Sequence, residues 1–239
     1  NTIKPLILCI SSNKFFIILY KYVWILKKLL YISIMKQITM NNLITILLIL
    51  LSTPLVSQTN SVIDYYNEIT TKNEKGDVIN NKKYNKDIYI YVDGEKNDTL
   101  LLELNKIVDE LNVLISPITI YISDDPNYKN ILLYFGSMEG LMEYTGDYHR
   151  KEMLENNWGI FWYLSTNENE IYHSWVFVDT QRTSTMKQRK HLLREELTQS
   201  LGMPNDSYKY PNSIFYGNWT ETTEYSSLDK EIIKLHYNN

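Results

Sequence analysis

Between His191 and Ser207 the chain reads HLLREELTQSLGMPNDS, and no other stretch limits the fold as tightly. Leu192, Leu193, Leu197 and Leu201 recur at helical spacing. Gly202 stands where a left-handed cap ends a helix, and Pro204 bars continuation. The pattern predicts a core helix with a marked stop. Glu195 and Gln199, four apart, share one of its faces, and Glu196 is the neighbour of Glu195. Polar side chains on a helix otherwise committed to a core are candidates for function.

The chain around this helix predicts a small sheet. Asp87–Val92 alternates and ends at Asp93–Gly94, which reads as a strand and a turn. Asn97 or Asp98 then caps a helix that carries Leu101, Leu104, Ile107, Val108 and Leu111 on one face. Strands follow at Ile118–Ile122, Ile131–Phe135, Trp158–Leu164 and Ile171–Val178, with short helical pieces from Ser137 to Glu155. After the key helix, residues 206–223 lack periodicity. A last helix, capped by Ser226 or Ser227, runs to Tyr237. This order describes one α+β domain over residues 87–239, a twisted mixed sheet of about five strands packed on two helices.

The first 57 residues are of another kind. They hold six Lys and no Asp or Glu, which leaves 18 basic against 28 acidic residues in the remainder, a net charge of −10. A body that acidic argues against a nucleic-acid partner. Residues 1–34 read as an upstream or non-native segment, with a membrane anchor broken by Lys14, Lys21, Lys27 and Lys28 as the rival reading. Residues 35–57 have the parts of a signal peptide: Lys36, an apolar run Leu43–Leu51 too short to span a membrane, and a small residue, Ser57, before Gln58. The expected mature domain is therefore exported (periplasmic, extracellular or cell-surface) and free of the membrane. Its lead-in, residues 58–86, is polar, contains a Lys75–Gly76–Asp77 turn signal, and is expected to be flexible. The sole cysteine, Cys9, precedes all of this, so no disulfide or thiolate metal site is expected in the domain.

The order of elements and the residues at its end resemble the metzincin branch of the zinc metallopeptidases. That branch carries HExxHxxGxxH, a turn containing Met, and a closing helix. The run Glu195–Glu196 through Gln199, Gly202 and Asn205 matches that motif in register. Ser213–Ile214–Phe215–Tyr216 resembles the methionine turn, with Phe215 in the methionine's place, and Leu228–Asp229 through Tyr237–Asn238 resembles the closing helix. The pattern looks closest to a group of exported bacterial proteins of unknown function reading E-E-L-x-Q-x-L-G and then N-D-S.

By that resemblance Glu196 stands at the catalytic glutamate, while Glu195, Gln199 and Asn205 stand at the three zinc ligands. Zinc is held by thiolate, imidazole or carboxylate, so two carboxamides and one carboxylate are a poor set for it. No zinc cofactor is expected; a harder divalent ion such as calcium is the alternative. Glu195, Gln199 and Asn205 are instead expected to form a hydrogen-bonded cluster with Asp206 and Ser207 nearby. His191, four residues before Glu195, is expected at the pocket wall or the surface, with a His–Glu ligand pair as its rival. His173 reaches the helix only if its side of the strand faces that way, which alternation alone leaves open.

The resemblance implies a zincin-like protein with a degenerate zinc site that binds an extended peptide or a cell-envelope protein along the strand Trp158–Leu164. The alternatives are a hydrolase using Glu196 with a non-standard metal or none, and a purely structural envelope component.

Overall fold

The computed structural model describes residues 12–73 and 77–238, with side chains described over 21–45 and from Ser61 onward within those ranges. Cys9 and the Lys75–Gly76 part of the turn signal lie outside the described residues. The first helix, α1, spans Ser12–Thr70. The chain divides into two compact units, the residues up to Thr59 and Asn60–Asn239. In the first unit residues 35–57 are helical throughout, and the described side chains are exposed. Among the described residues no helix is long and apolar enough to cross a membrane.

The second unit holds the sheet. Its elements are the last turns of α1, then β1 (Ile88–Gly94), α2 (Asp98–Leu114), β2 (Ile120–Ser123) and β3 (Ile131–Gly136). There follow α3 (Met138–Thr145), a 3-10 turn (Tyr148–Arg150), α4 (Lys151–Asn156), β4 (Gly159–Ser165), β5 (Ile171–Asp179), α5 (Met186–Gln199) and α6 (Ser227–Tyr237). The strands lie in the order β2-β1-β3-β5-β4. Four are parallel, and β4 alone runs antiparallel, against β5 at one edge. This is the α+β architecture that the sequence predicts, with β2 starting two residues later than Ile118.

Central position explains composition. β3 has neighbours on both sides and is buried along its whole length, and its sequence ILLYFG is correspondingly apolar. One face of the sheet packs against α2, α5 and α6 through a large core that includes Ile88, Ile90, Leu104, Ile107, Leu193, Leu197 and Ile233. On the opposite face Tyr134 and Phe177 meet Leu141, Met142 and Leu154 of α3 and α4.

The lead-in departs from expectation. Over 61–70 it is helix, and Tyr65 and Ile69 are fully buried with Val62 and Tyr66 packed against the same core. These four residues sit at i, i+3, i+4 and i+7, a helical stripe hidden among polar neighbours. Tyr84 is buried too, its hydroxyl 2.6 Å from Ser174 Oγ.

Candidate functional site

The scaffold of the site is α5. It starts in a capping box, with Thr185 Oγ1 accepting from Gln188 N and the Gln188 side chain accepting from Thr185 N. Leu193, Leu197 and Leu201 are fully buried beneath the sheet. On the flank toward α2, the fully buried Arg194 donates from Nη1 to Glu110 (2.7 Å) and from Nη2 to Glu103 (3.0 Å). Its guanidinium also lies 4.5 Å from the Tyr225 ring centroid. Lys190 adds a second contact to Glu103 at 3.1 Å. Charge and packing thus fix the rotation of α5 about its axis.

The stop of α5 is equally constrained. The helix ends at Gln199 with Ser200 as its cap, two residues before the glycine that the sequence suggests. Gly202 has φ +109, and a Cβ on it would lie 1.9 Å from the Lys82 carbonyl oxygen. Backbone passing this close, in a conformation L side chains rarely adopt, requires glycine at that position. Tyr237 of α6 donates to the Leu201 carbonyl at 2.8 Å and closes the same corner.

Below, residues 213–216 form a turn clamped by α6. Asp229 accepts from Ser213 Oγ (2.5 Å), Ile214 N (3.2 Å) and Ser226 N (2.8 Å), and Tyr65 OH lies 2.9 Å from Ser213 Oγ. Burial pushes the Asp229 carboxyl above its ordinary range, while these hydrogen bonds act the other way. Phe215, expected near the ligand positions, is instead fully buried in the core. It supports the site from below and does not line it.

Between α5, the start of β4 and the loop 206–219 lies a cleft of about 590 Å3, lined by His191, Glu195, Glu196, Gln199 and Asp206 among others. Five of the seven residues singled out from the sequence therefore converge. Glu195 and Glu196 both line it, although neighbours on a helix point apart, because the cleft is wide enough to take both. Glu196 lies against β4: a Cβ on Gly159 would fall 2.8 Å from Glu196 Oε1 and 2.8 Å from a Leu192 methyl. The glycine lets the carboxylate sit beside the strand backbone.

The polar cluster differs from expectation in one member. Gln199 Nε2 donates to Asp206 Oδ1 at 2.6 Å. Asn205, expected in that cluster, turns the other way and donates from Nδ2 to the Glu68 carbonyl (3.0 Å) and the Asp206 carbonyl (2.9 Å). The cause is local: Asn205 N donates to the Ile69 carbonyl, so the end of α1 captures this residue and the next one faces the cleft.

His191 is a wall of the cleft and is nearly fully buried. Its Nδ1 lies 2.8 Å from the Thr222 carbonyl and its Nε2 3.2 Å from Glu195 Oε2, with Trp219 edge-on at 5.9 Å. The carbonyl can only accept, so Nδ1 carries hydrogen, and a bond between Nε2 and the carboxylate needs one shared proton. Burial lowers the His191 pKa below its ordinary value, opposed by the Thr222 carbonyl and the Glu221 charge. His173 is excluded from the site: Ser174 bonds toward α5 through the Ser200 carbonyl, and His173 points to the other face, against Trp175 at 4.2 Å.

For zinc the donors do not fit. Glu195 and Gln199, one helical turn apart, offer a carboxylate and a carboxamide rather than two imidazoles, and Gln199 and Asp206 bond to each other. Among the described residues no three His, Cys, Asp or Glu side chains are placed to hold a metal ion.

Trp158, Tyr216, Asn218 and Trp219 also line the cleft, and the sequence pattern does not single them out as cleft residues. Trp158 and Trp219 meet edge to face at 5.6 Å, yet both remain substantially exposed, at 39% and 51%. A tryptophan in an aperiodic segment beside Gly217 and Asn218 was the available signal, since nothing there would bury it.

A family profile described as "Protein of unknown function (DUF2927)" matches residues 59–239. Two solved structures of myroilysin are similar. One is 12% identical with a TM-score of 0.42, over 65% of this chain and 82% of the other. The second is 11% identical with a TM-score of 0.43, over 71% and 92%. No curated protein sequence matches the chain.

Proposed function

We propose, from the premise that the chain belongs to the DUF2927 family of proteins of unknown function, that its domain is a metzincin-like scaffold with a degenerate zinc site, binding an extended peptide or cell-envelope partner without cleaving it. The carrying observation is the cleft between β4 and α5, in which Gln199 and Asp206 bond to each other and Glu195 Oε2 lies 3.2 Å from His191 Nε2. The metzincin relation is supported by three placements in this chain. Gly202 turns the chain just beyond the end of α5, the Ser213–Tyr216 turn lies under it, and Asp229 of the last helix clamps that turn. β4 supports the binding role. It is an edge strand, so its outer backbone groups can pair with an added strand, and Gly159 sets Glu196 beside it.

Export supplies the setting for such a partner. The family match begins at residue 59 and the compact unit at Asn60, next to the expected cleavage after Ser57. N-terminal sequencing of protein recovered from cell fractions tests this, and an intact segment 35–57 on all of it overturns export by cleavage.

The test of function is metal analysis with peptide binding on the purified chain. The expected result is less than a tenth of a zinc per chain and retention of peptides. Stoichiometric zinc, with peptide cleavage lost in Glu196→Gln, overturns it. A second reading, hydrolysis through Glu196 with a harder ion or none, is favoured by one observation: Glu196 lines the cleft. It predicts turnover that persists after zinc-specific chelation.

A further inference from the structure

Both faces of the sheet carry a cavity. The second, of about 450 Å3, lies on the face away from α5. Strand register builds its floor: Leu132, Trp175 and Trp162 are direct partners across β3, β5 and β4. The next row along the same face, Tyr134, Phe177 and Ile160, is covered by α3 and α4. Those helices have only eight and six residues, and the row below stays open. Gly146, at φ +69, ends α3, and the segment after it brings Arg150 over Trp162, 4.6 Å from the ring centroid. Two tryptophans are thus left half-buried at the bottom of a cavity instead of in the core.

The polar groups around this floor are mostly donors. Arg150 Nε donates to Asp147 Oδ2 at 2.8 Å, while its Nη1 and Nη2 donate to nothing among the described residues. Stacking on Trp162 orients that free fork. Lys129, on the wall, rests on the Tyr91 ring at 5.4 Å and donates to the Pro126 carbonyl. It meets no carboxylate among the described residues. Trp162 and Trp175 are stacked with centroids 5.6 Å apart, and neither indole N–H has an acceptor among the described residues. The nearby carboxylates are engaged, Asp147 with Arg150 and Asp93 beside the Tyr144 hydroxyl.

This inventory discriminates between ligands. A cation meets two like charges and no free carboxylate. A neutral ring desolvates Arg150 and Lys129 and offers their donors nothing. An oxyanion supplies acceptors, and a guanidinium fork matches its geometry. A flat body attached to it has Leu132, Trp175 and Tyr144 to pack against. We propose that this cavity is a second binding site, for a small organic anion that joins a carboxylate or a phosphate to a flat ring. Its oxygens go to Arg150 Nη1 and Nη2 and to Lys129, and its ring goes to the aromatic floor. The site is on the opposite face from the cleft and stands independently of what the cleft binds.

The test is fluorine NMR titration of the full chain with five probes: para-fluorobenzoate, para-fluorophenyl phosphate, para-fluorobenzyl alcohol, para-fluorobenzylamine and fluoroacetate. At least one of the two ring-bearing anions should bind about tenfold more tightly than the alcohol, the amine or fluoroacetate, and the tighter one names the oxyanion. Arg150→Gln and Lys129→Gln should each weaken that anion about fivefold or more. Lys230→Gln removes the same charge at an exposed site on α6 and should leave the affinity unchanged. The alcohol binding as tightly as the anions overturns the proposal, and so does binding of neither ring-bearing anion. Fluoroacetate binding as tightly as they do overturns the assignment to the aromatic floor. Equal affinity in the parent and both cavity variants, or an equal loss in Lys230→Gln, overturns the assignment to Arg150 and Lys129. If Arg150→Gln loses the parent near-ultraviolet circular dichroism spectrum, Lys129→Gln decides alone.

Discussion

Gln199 Nε2 donates to Asp206 Oδ1 across 2.6 Å, joining the last turn of α5 to the loop that leaves it. The bond spans the corner that Gly202 makes, where a zinc-binding helix and its third ligand would be tied by the ion. Two side chains hold the corner here. Removing either side chain loses this partly buried bond, so Gln199→Ala and Asp206→Ala should each destabilise by about 1–2 kcal/mol. The double variant should cost less than the sum, with a coupling of about 0.5–1.5 kcal/mol. Urea unfolding of the four proteins measures it, and strict additivity contradicts the bond.

If the scaffold keeps the register of a zinc site and lacks only the donors, donors should restore binding. Glu195→His together with Gln199→His sets two imidazoles one helical turn apart, with the Asp206 carboxylate at the corner. The double variant should take up about one zinc per chain at pH 7.5 in equilibrium dialysis, and the parent chain should not. Failure of a folded double variant to bind zinc counts against the metzincin register.

Two glycines separate backbone strain from collision. Gly146 has φ +69 and open space where a Cβ would go, so Gly146→Ala should cost only about 1 kcal/mol. Gly202 combines φ +109 with the Lys82 carbonyl 1.9 Å from an added Cβ, and Gly202→Ala should cost several times as much or abolish the cooperative transition. Thermal denaturation ranks them, and similar losses contradict the close approach.

Acid should weaken the domain through His236. Its Nε2 lies 3.1 Å from the Lys82 carbonyl, and its buried Nδ1 makes no hydrogen bond of good geometry. Burial accordingly pushes its pKa from 6.5 down to about 4, helped by the Lys83 charge. The unfolded chain binds this proton first. Stability is therefore undiminished above about pH 6.5, falls between 6.5 and 4, and levels below, a loss of about 3 kcal/mol. In His236→Gln that part of the pH dependence should be missing from denaturation curves recorded at pH 7, 5.5 and 4.5. An unchanged slope contradicts it.

The pair of ion contacts at Arg194 gives a further check. With its guanidinium fully buried against Glu103 and Glu110, Arg194→Ala breaks both contacts, leaves Glu103 with Lys190 alone, and should cost about 3–5 kcal/mol. A loss below 1 kcal/mol would show that the contacts do not fix α5.

Much of this was legible in the sequence, for physical reasons. Every strand of the sheet carries an alternating or continuous apolar run bounded by turn residues, and the capped helices α2 and α6 announce themselves with Asn97 and Ser226. The cleft side of α5 was legible because Glu195, Glu196 and Gln199 interrupt an apolar pattern. What stayed hidden depends on contacts far apart in the chain. Asn205 was expected in the cluster, but Ile69 and Glu68, more than 130 residues earlier, turn it away and bring Asp206 in. Phe215 was expected beside the site, and it is buried in the core instead. Tyr65 and Ile69 form one short stripe in a polar segment, and only the core they enter reveals it.

The central claim, a peptidase scaffold that binds without cutting, is tested most directly by incubating the purified chain with a proteome-derived peptide library and added zinc, and counting new termini by mass spectrometry beside Glu196→Gln. The account predicts that the two proteins give the same background. New termini produced by the parent chain and absent with Glu196→Gln would contradict it.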